Sequence, residues 1–182
     1  MTAAVVVSVR ALRSLAIRCF IKTRFENVQV RSRVGFEKGL RFSVTDNGAL
    51  RIGSDVRFDR NSTVIVQHGC LSIGDGTYIG IGSVICAHKR IAIGKGVLIA
   101  EHVSIRDQNH IFGRGCAVSG SGFNSAPVEI EDNVWIGAKA TITAGVTIGA
   151  NSVIGAGAVV TCNIPANSVA VGIPARVARS LK

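Results

Sequence analysis

The chain is short of aromatic residues: one Trp, one Tyr and seven Phe stand among 182 residues. Without aromatic platforms, a nucleic-acid interface is not expected, whatever the charge. Cysteine is scattered as five residues, Cys19, Cys70, Cys86, Cys116 and Cys162, with no Cys-x-x-Cys pair. That excludes a zinc ribbon and argues against a disulfide framework, leaving thiols suited to a reducing cytoplasm. A long hydrophobic run is missing too. Arg10, Arg13 and Arg18 break the N-terminal apolar stretch well short of the ~20 residues that a membrane-spanning helix needs. No positive charge precedes that stretch, so it does not read as a signal peptide.

What is present is glycine, at 21 residues, and a hydrophobic share of 47% drawn mostly from Val, Ile and Ala. β-Branched side chains suit a pleated surface, so strand is favoured over helix. The net charge is +10, and residues 1–41 hold nine Lys/Arg against Glu26 and Glu37. A segment this basic calls for an acidic neighbour. Residues 1–24 read as a helix. At about 100° per residue Val5, Val9, Leu12, Ala16 and Phe20 gather on one side, although Ile17 and Ile21 fall elsewhere. Two readings stay open, a helix on a membrane surface and a helix packed on its own domain.

The remainder is a repeat. From residue 130 the hexads IEDNVW, IGAKAT, ITAGVT, IGANSV, IGAGAV and VTCNIP follow without a gap. Ile73, Ile79, Ile93, Ile99 and Ile105 lead others upstream, and a looser turn starts at Ile52. A period of six fits neither a helix nor a lone alternating strand. It fits short strands joined by corners, the aliphatic residue inward and the small residue after it allowing the backbone to bend. Ile130 and Ile148 are 18 apart and Ile73 and Ile93 are 20 apart, the length of a three-hexad coil. Ile93 and Ile130 are 37 apart, so one coil carries an insert of 19 residues. The insert is a loop thrown from a corner rather than a domain boundary.

These hexads, with the ending VEIEDNVWIGAKATITAGVTIGANSVIGAGAVVTCNIPANSVAVGIPARVAR, resemble the hexapeptide-repeat acyltransferases, and within them the sugar and polysaccharide O-acetyltransferases. The resemblance implies an all-β, left-handed parallel β-helix, against the general preference for right-handed crossovers. It implies the following organisation: a basic helical segment over 1–29, the β-helix over 30–170 with a protruding loop over 106–129, and a tail over 171–182.

Acetyl transfer to a hydroxyl needs a base that titrates near neutrality, which makes the four His, at 68, 88, 102 and 110, the first candidates. In the resembling family a His opens the loop and a Val-Trp-Ile-Gly motif follows about two dozen residues later. His110 and Trp135 match, with Val134, Ile136 and Gly137. The run DQNH is similar to the family's Asp-His-[Asp/Asn]-His, with Gln108 in place of the first His, which assigns the chemistry to His110. Asp107 is the candidate for orienting that imidazole, with Glu101 a rival. His102 could face the same cleft. His68 and His88 read as solvated corner residues whose replacement should be near neutral.

By the same resemblance Trp135 lines the acetyl and pantetheine end of acetyl-CoA, Ala138 and Ala156 lie along its arm, and Thr161 is near the adenine. Cys162 stands where the family has Lys, which shifts phosphate binding towards Arg176 and Arg179. Packing alone for Trp135 and solvated charge for the two Arg are the plain alternatives. The implied function is acetyl-CoA-dependent O-acetylation of a sugar hydroxyl in bacterial polysaccharide or lipid-linked glycan modification. The implied setting is a homotrimer in the cytoplasm, at the inner face of the membrane if the N-terminal segment binds lipid. N-acetylation of a nucleotide-linked amino sugar and a non-catalytic scaffold are the rivals. No metal is expected. The His spacings of 20, 14 and 8 contain no His-x4-His pair, as a γ-class carbonic anhydrase would require.

Overall fold

A computed structural model describes residues 27–115 and 118–182. The helix expected over 1–24 lies outside them, and the described residues contain no helix. They form the parallel β-helix expected from the hexads, a triangular prism of six coils. The coils run over 28–45, 49–67, 70–87, 90–106, 128–142 and 147–160, each giving one strand to each of three faces. Every strand pair between coils is parallel and in register, as in Ile73 with Ile93 on the first face, Ile99 with Ile136 on the second and Ile105 with Ile142 on the third. Two pairs are antiparallel: a hairpin of Gln108–His110 with Phe123–Ser125, and the last strand, Arg176–Ser180, folded back on Ser168–Val171.

The hexad leaders fill the interior. Ile79, Ile85, Ile99, Ile105, Ile136 and Ile142 are fully buried, each beside its counterpart in the next coil. Burying one such side chain is worth about 1.5–3 kcal/mol, so the ladder is the main source of stability. In the two lowest coils Phe36 and Phe58 take the lead position on the second face, their rings stacked at 5.6 Å. The lowest coil therefore escapes a search for Ile-led hexads, although it pairs with its neighbour like any other.

The small residue after each leader does a different job from the one expected. Gly74 has no left-handed backbone. A Cβ there would lie 2.5 Å from the carbonyl of Gly94 in the coil above, so the position is kept bare by close approach of backbones. The bend falls two residues later, where Gly76 takes φ +71° with open space around it. Asp55, Asn133 and Asn151 take the same left-handed conformation at that corner in other coils, which Asn and Asp tolerate better than most residues.

Candidate functional site

The insert leaves the prism where the third face turns to the first. Strand Ser104–Arg106 is held between Val84–Cys86 below and Thr141–Ile142 above, and Asp107 follows at once. Its carboxylate is fully buried. Oδ1 accepts the backbone N–H of His88, and Oδ2 those of Lys89 and Arg90, all at 2.7 Å. Three charge-assisted bonds compensate for the water that a buried carboxylate loses. Its own carbonyl accepts the N–H of Ala126 at 2.9 Å, where the chain returns to the prism. Asp107 thus fastens the base of the insert to the corner beneath, and its oxygens are committed to backbone rather than to the His110 imidazole. The orienting role assigned to it on sequence is replaced by an anchoring one.

From this anchor rises the hairpin. His110 is exposed and lies opposite Phe123, with ring centres 4.6 Å apart. The Phe123 ring also meets His88, at 5.1 Å. His88 Nδ1 lies 3.0 Å from Ser125 Oγ on the returning strand. His68, one coil lower, meets His88 edge-on at 5.5 Å, and its Nε2 is 3.7 Å from Asp46 Oδ2. His88, Phe123 and Ser125 are thus part of the site, and His88 is no solvated bystander. The signal was available in the sequence: His88 precedes Asp107 by 19 residues, one coil, and so falls on the same corner. Gln108, in place of the resembling family's first His, keeps its Oε1 buried without a hydrogen-bond partner.

The residues expected to hold acetyl-CoA lie elsewhere on the prism. Trp135 points outward from the second face, 54% exposed, between Leu98 and Val153 of the adjoining coils. Ala138 and Ala156 sit one coil apart at the corner between the second and third faces, where the Ala138 carbonyl accepts the Gly157 N–H at 2.8 Å. Their methyl groups leave this edge low enough for an extended arm to lie along it. Thr161 is exposed just beyond the last third-face strand, and Arg176 Nη1 reaches Cys162 Sγ at 3.9 Å. Arg179 is exposed on the final strand, opposite Val169. His102 belongs to the same corner as the two alanines, packed over Gly82, and not to the corner of His110. Within one chain the corner carrying His110 is the one opposite the face carrying Trp135. Among the described residues no group of His, Cys, Asp and Glu is placed to hold a metal ion.

Residues 127–162 match the family described as the hexapeptide repeat of succinyl-transferase. A hexapeptide-repeat-containing acetyltransferase from Vibrio cholerae superposes with a TM-score of 0.67 at 32% identity, over 72% of this chain and 74% of that one. The chain belongs to the hexapeptide-repeat acetyltransferases. The galactoside O-acetyltransferase of Escherichia coli is 41% identical over 111 residues, which is 61% of this chain and 54% of that protein. A galactoside acetyltransferase in complex with coenzyme A superposes with a TM-score of 0.62 at 28% identity, over 91% of this chain and 70% of that one. The chain spans about half the length of the curated relatives it matches. In this hexapeptide-repeat acetyltransferase, then, a His-bearing hairpin and a bare, Trp-flanked edge occupy different corners of one prism, with the third face between them.

Proposed function

We propose that the protein transfers an acetyl group from acetyl-CoA to a sugar hydroxyl, with His110 as general base. The observation that carries this reading is the exposed imidazole of His110 on a hairpin that interrupts an otherwise regular prism. An unprotonated ring nitrogen takes the hydroxyl proton as that oxygen attacks the thioester carbonyl. The tetrahedral intermediate collapses by breaking the carbon–sulfur bond, and the imidazolium returns the proton to the departing thiolate. Likeness to galactoside O-acetyltransferases supports a hydroxyl acceptor, and complexes of structural neighbours with acetyl-CoA or coenzyme A support the donor.

The proposed donor edge and the base lie at different corners of one chain, and Trp135 is on the face opposite His110, so a neighbouring copy is needed to bring Trp135 and the alanine edge up to His110. A ring of three copies supplies every edge with a hairpin and closes on itself, as cyclic symmetry requires. The acceptor is read as part of a bacterial polysaccharide or lipid-linked glycan, met at the cytoplasmic side of a membrane to which the basic N-terminal segment is drawn.

The test is to incubate purified protein with acetyl-CoA and alkyl galactosides, oligosaccharides, lipid-linked glycans and nucleotide-linked amino sugars while following free thiol. Thiol release with formation of a base-labile ester supports the reading. Thiol release confined to amines, with a base-stable amide as product, would replace it with N-acetylation.

A further inference from the structure

We propose that His88 is a positioning residue, which holds the His110 imidazole in its working orientation through Phe123 and Ser125. The inference rests on the reading of His110 as the base and adds a residue to it. A general base has to present its nitrogen within hydrogen-bond reach of the reacting proton, and small misplacements are expensive in rate. His110 is exposed on a two-stranded hairpin, and its ring contact is with Phe123 at 4.6 Å. Phe123 is itself 37% exposed, so it restrains His110 only if something restrains Phe123.

His88 does so in two ways. Its ring lies 5.1 Å from that of Phe123, closing a row of three rings from the prism corner to the hairpin. Its Nδ1, 3.0 Å from Ser125 Oγ, ties the corner to the returning strand two residues beyond Phe123. His88 can serve as a fixed point because its backbone N–H is held at 2.7 Å by the fully buried carboxylate of Asp107. The same Asp107 carbonyl bonds Ala126. The corner, both ends of the insert and the ring row therefore form one connected unit.

The experiment uses the full chain with ¹³C-labelled histidine. In the native protein the His110 ring protons are expected upfield, in the ring current of Phe123. In His88→Ala they should move towards the position of a free imidazole. With an alkyl galactoside as acceptor, kcat should fall on the order of tenfold while KM for acetyl-CoA is unchanged. Ser125→Ala, which leaves the prism corner untouched, should give a smaller loss of the same kind, and Ser125→Thr should restore it. The spectral arm requires no acceptor. His110 shifts and kcat both unchanged in His88→Ala, with His110→Ala inactive, would overturn the inference while leaving the base in place. A His110→Ala variant that keeps its rate would overturn both.

Discussion

The usefulness of an exposed imidazole as a base depends on where it is held. His110→Ala is expected to lower kcat about 10²-fold or more with little change in KM for acetyl-CoA, because the proton is taken only in the transition state. Steady-state kinetics at saturating acceptor measure it, and retention of most of the rate would remove His110 from the chemistry. A second contrast concerns thiols. Cys86 is 4% exposed, and burial pushes its thiol above the ordinary range, against a smaller lowering by Arg106. Cys162 is exposed beside Arg176. Since the thiolate is the nucleophile, iodoacetamide near pH 8 should label Cys162 well before Cys86, as peptide mass mapping would record; the reverse order would mean that the third face opens in solution. At this scale the sequence identified the residue types and missed their connections. His110 could be proposed as the base from sequence because an imidazole at the start of the insert is the first candidate for a group titrating near neutrality. Asp107 was misassigned because the amides it serves are 17 to 19 residues away and adjacent only once the coil closes.

Between the coils, backbone is stacked on backbone, and this is where substitutions should be felt most. Gly74→Ala places a methyl group 2.5 Å from the Gly94 carbonyl, which has no room to retreat within a continuous ladder. Overpacking of this kind costs about 1–3 kcal/mol. Gly76→Ala meets no atom within 4 Å and suffers only from its left-handed φ of +71°, a smaller penalty of about 1–2 kcal/mol. Chemical denaturation should therefore rank Gly74→Ala as the more destabilised, and the opposite ranking would show that the coils can spread apart. The strands themselves were readable wherever Ile led a hexad. The lowest coil was hidden because Val30 and Phe36 lead it and the corner after Phe42 carries extra residues. The hairpin could not be read at all: neither GRGCAVSGSG nor the short runs beside it has an apolar period, and its pairing is fixed by tertiary contacts.

Taken whole, the molecule carries His110 at one corner and the two alanines at another, so the proposed reaction needs copies to share a site. Light scattering should give three times the 19.0 kDa chain mass. Mixed assemblies of His110→Ala and Trp135→Ala chains should regain part of the activity that each variant lacks. A fully active monomer would exclude both outcomes. Residues 1–41 hold nine Lys/Arg, and attraction to an anionic bilayer is about 1 kcal/mol per Lys/Arg near the surface and fades with salt. Anionic vesicles should sediment the full chain at low salt better than one lacking residues 1–24, whereas equal sedimentation would leave that segment a packing element. The insert, finally, has a thermodynamic side. Partners in adjoining coils are 18 to 22 residues apart in the chain, except across the junction below Ile130, where Ile93 and Ile130 are 37 apart. Closure entropy grows only with the logarithm of length, so this near-doubling costs about 0.6 kcal/mol. The same parallel register continues above and below the junction, unaware of the detour. Hairpins of other lengths should therefore be exchangeable at this corner at small cost, which makes the chemistry proposed for the insert separable from the folding of the prism.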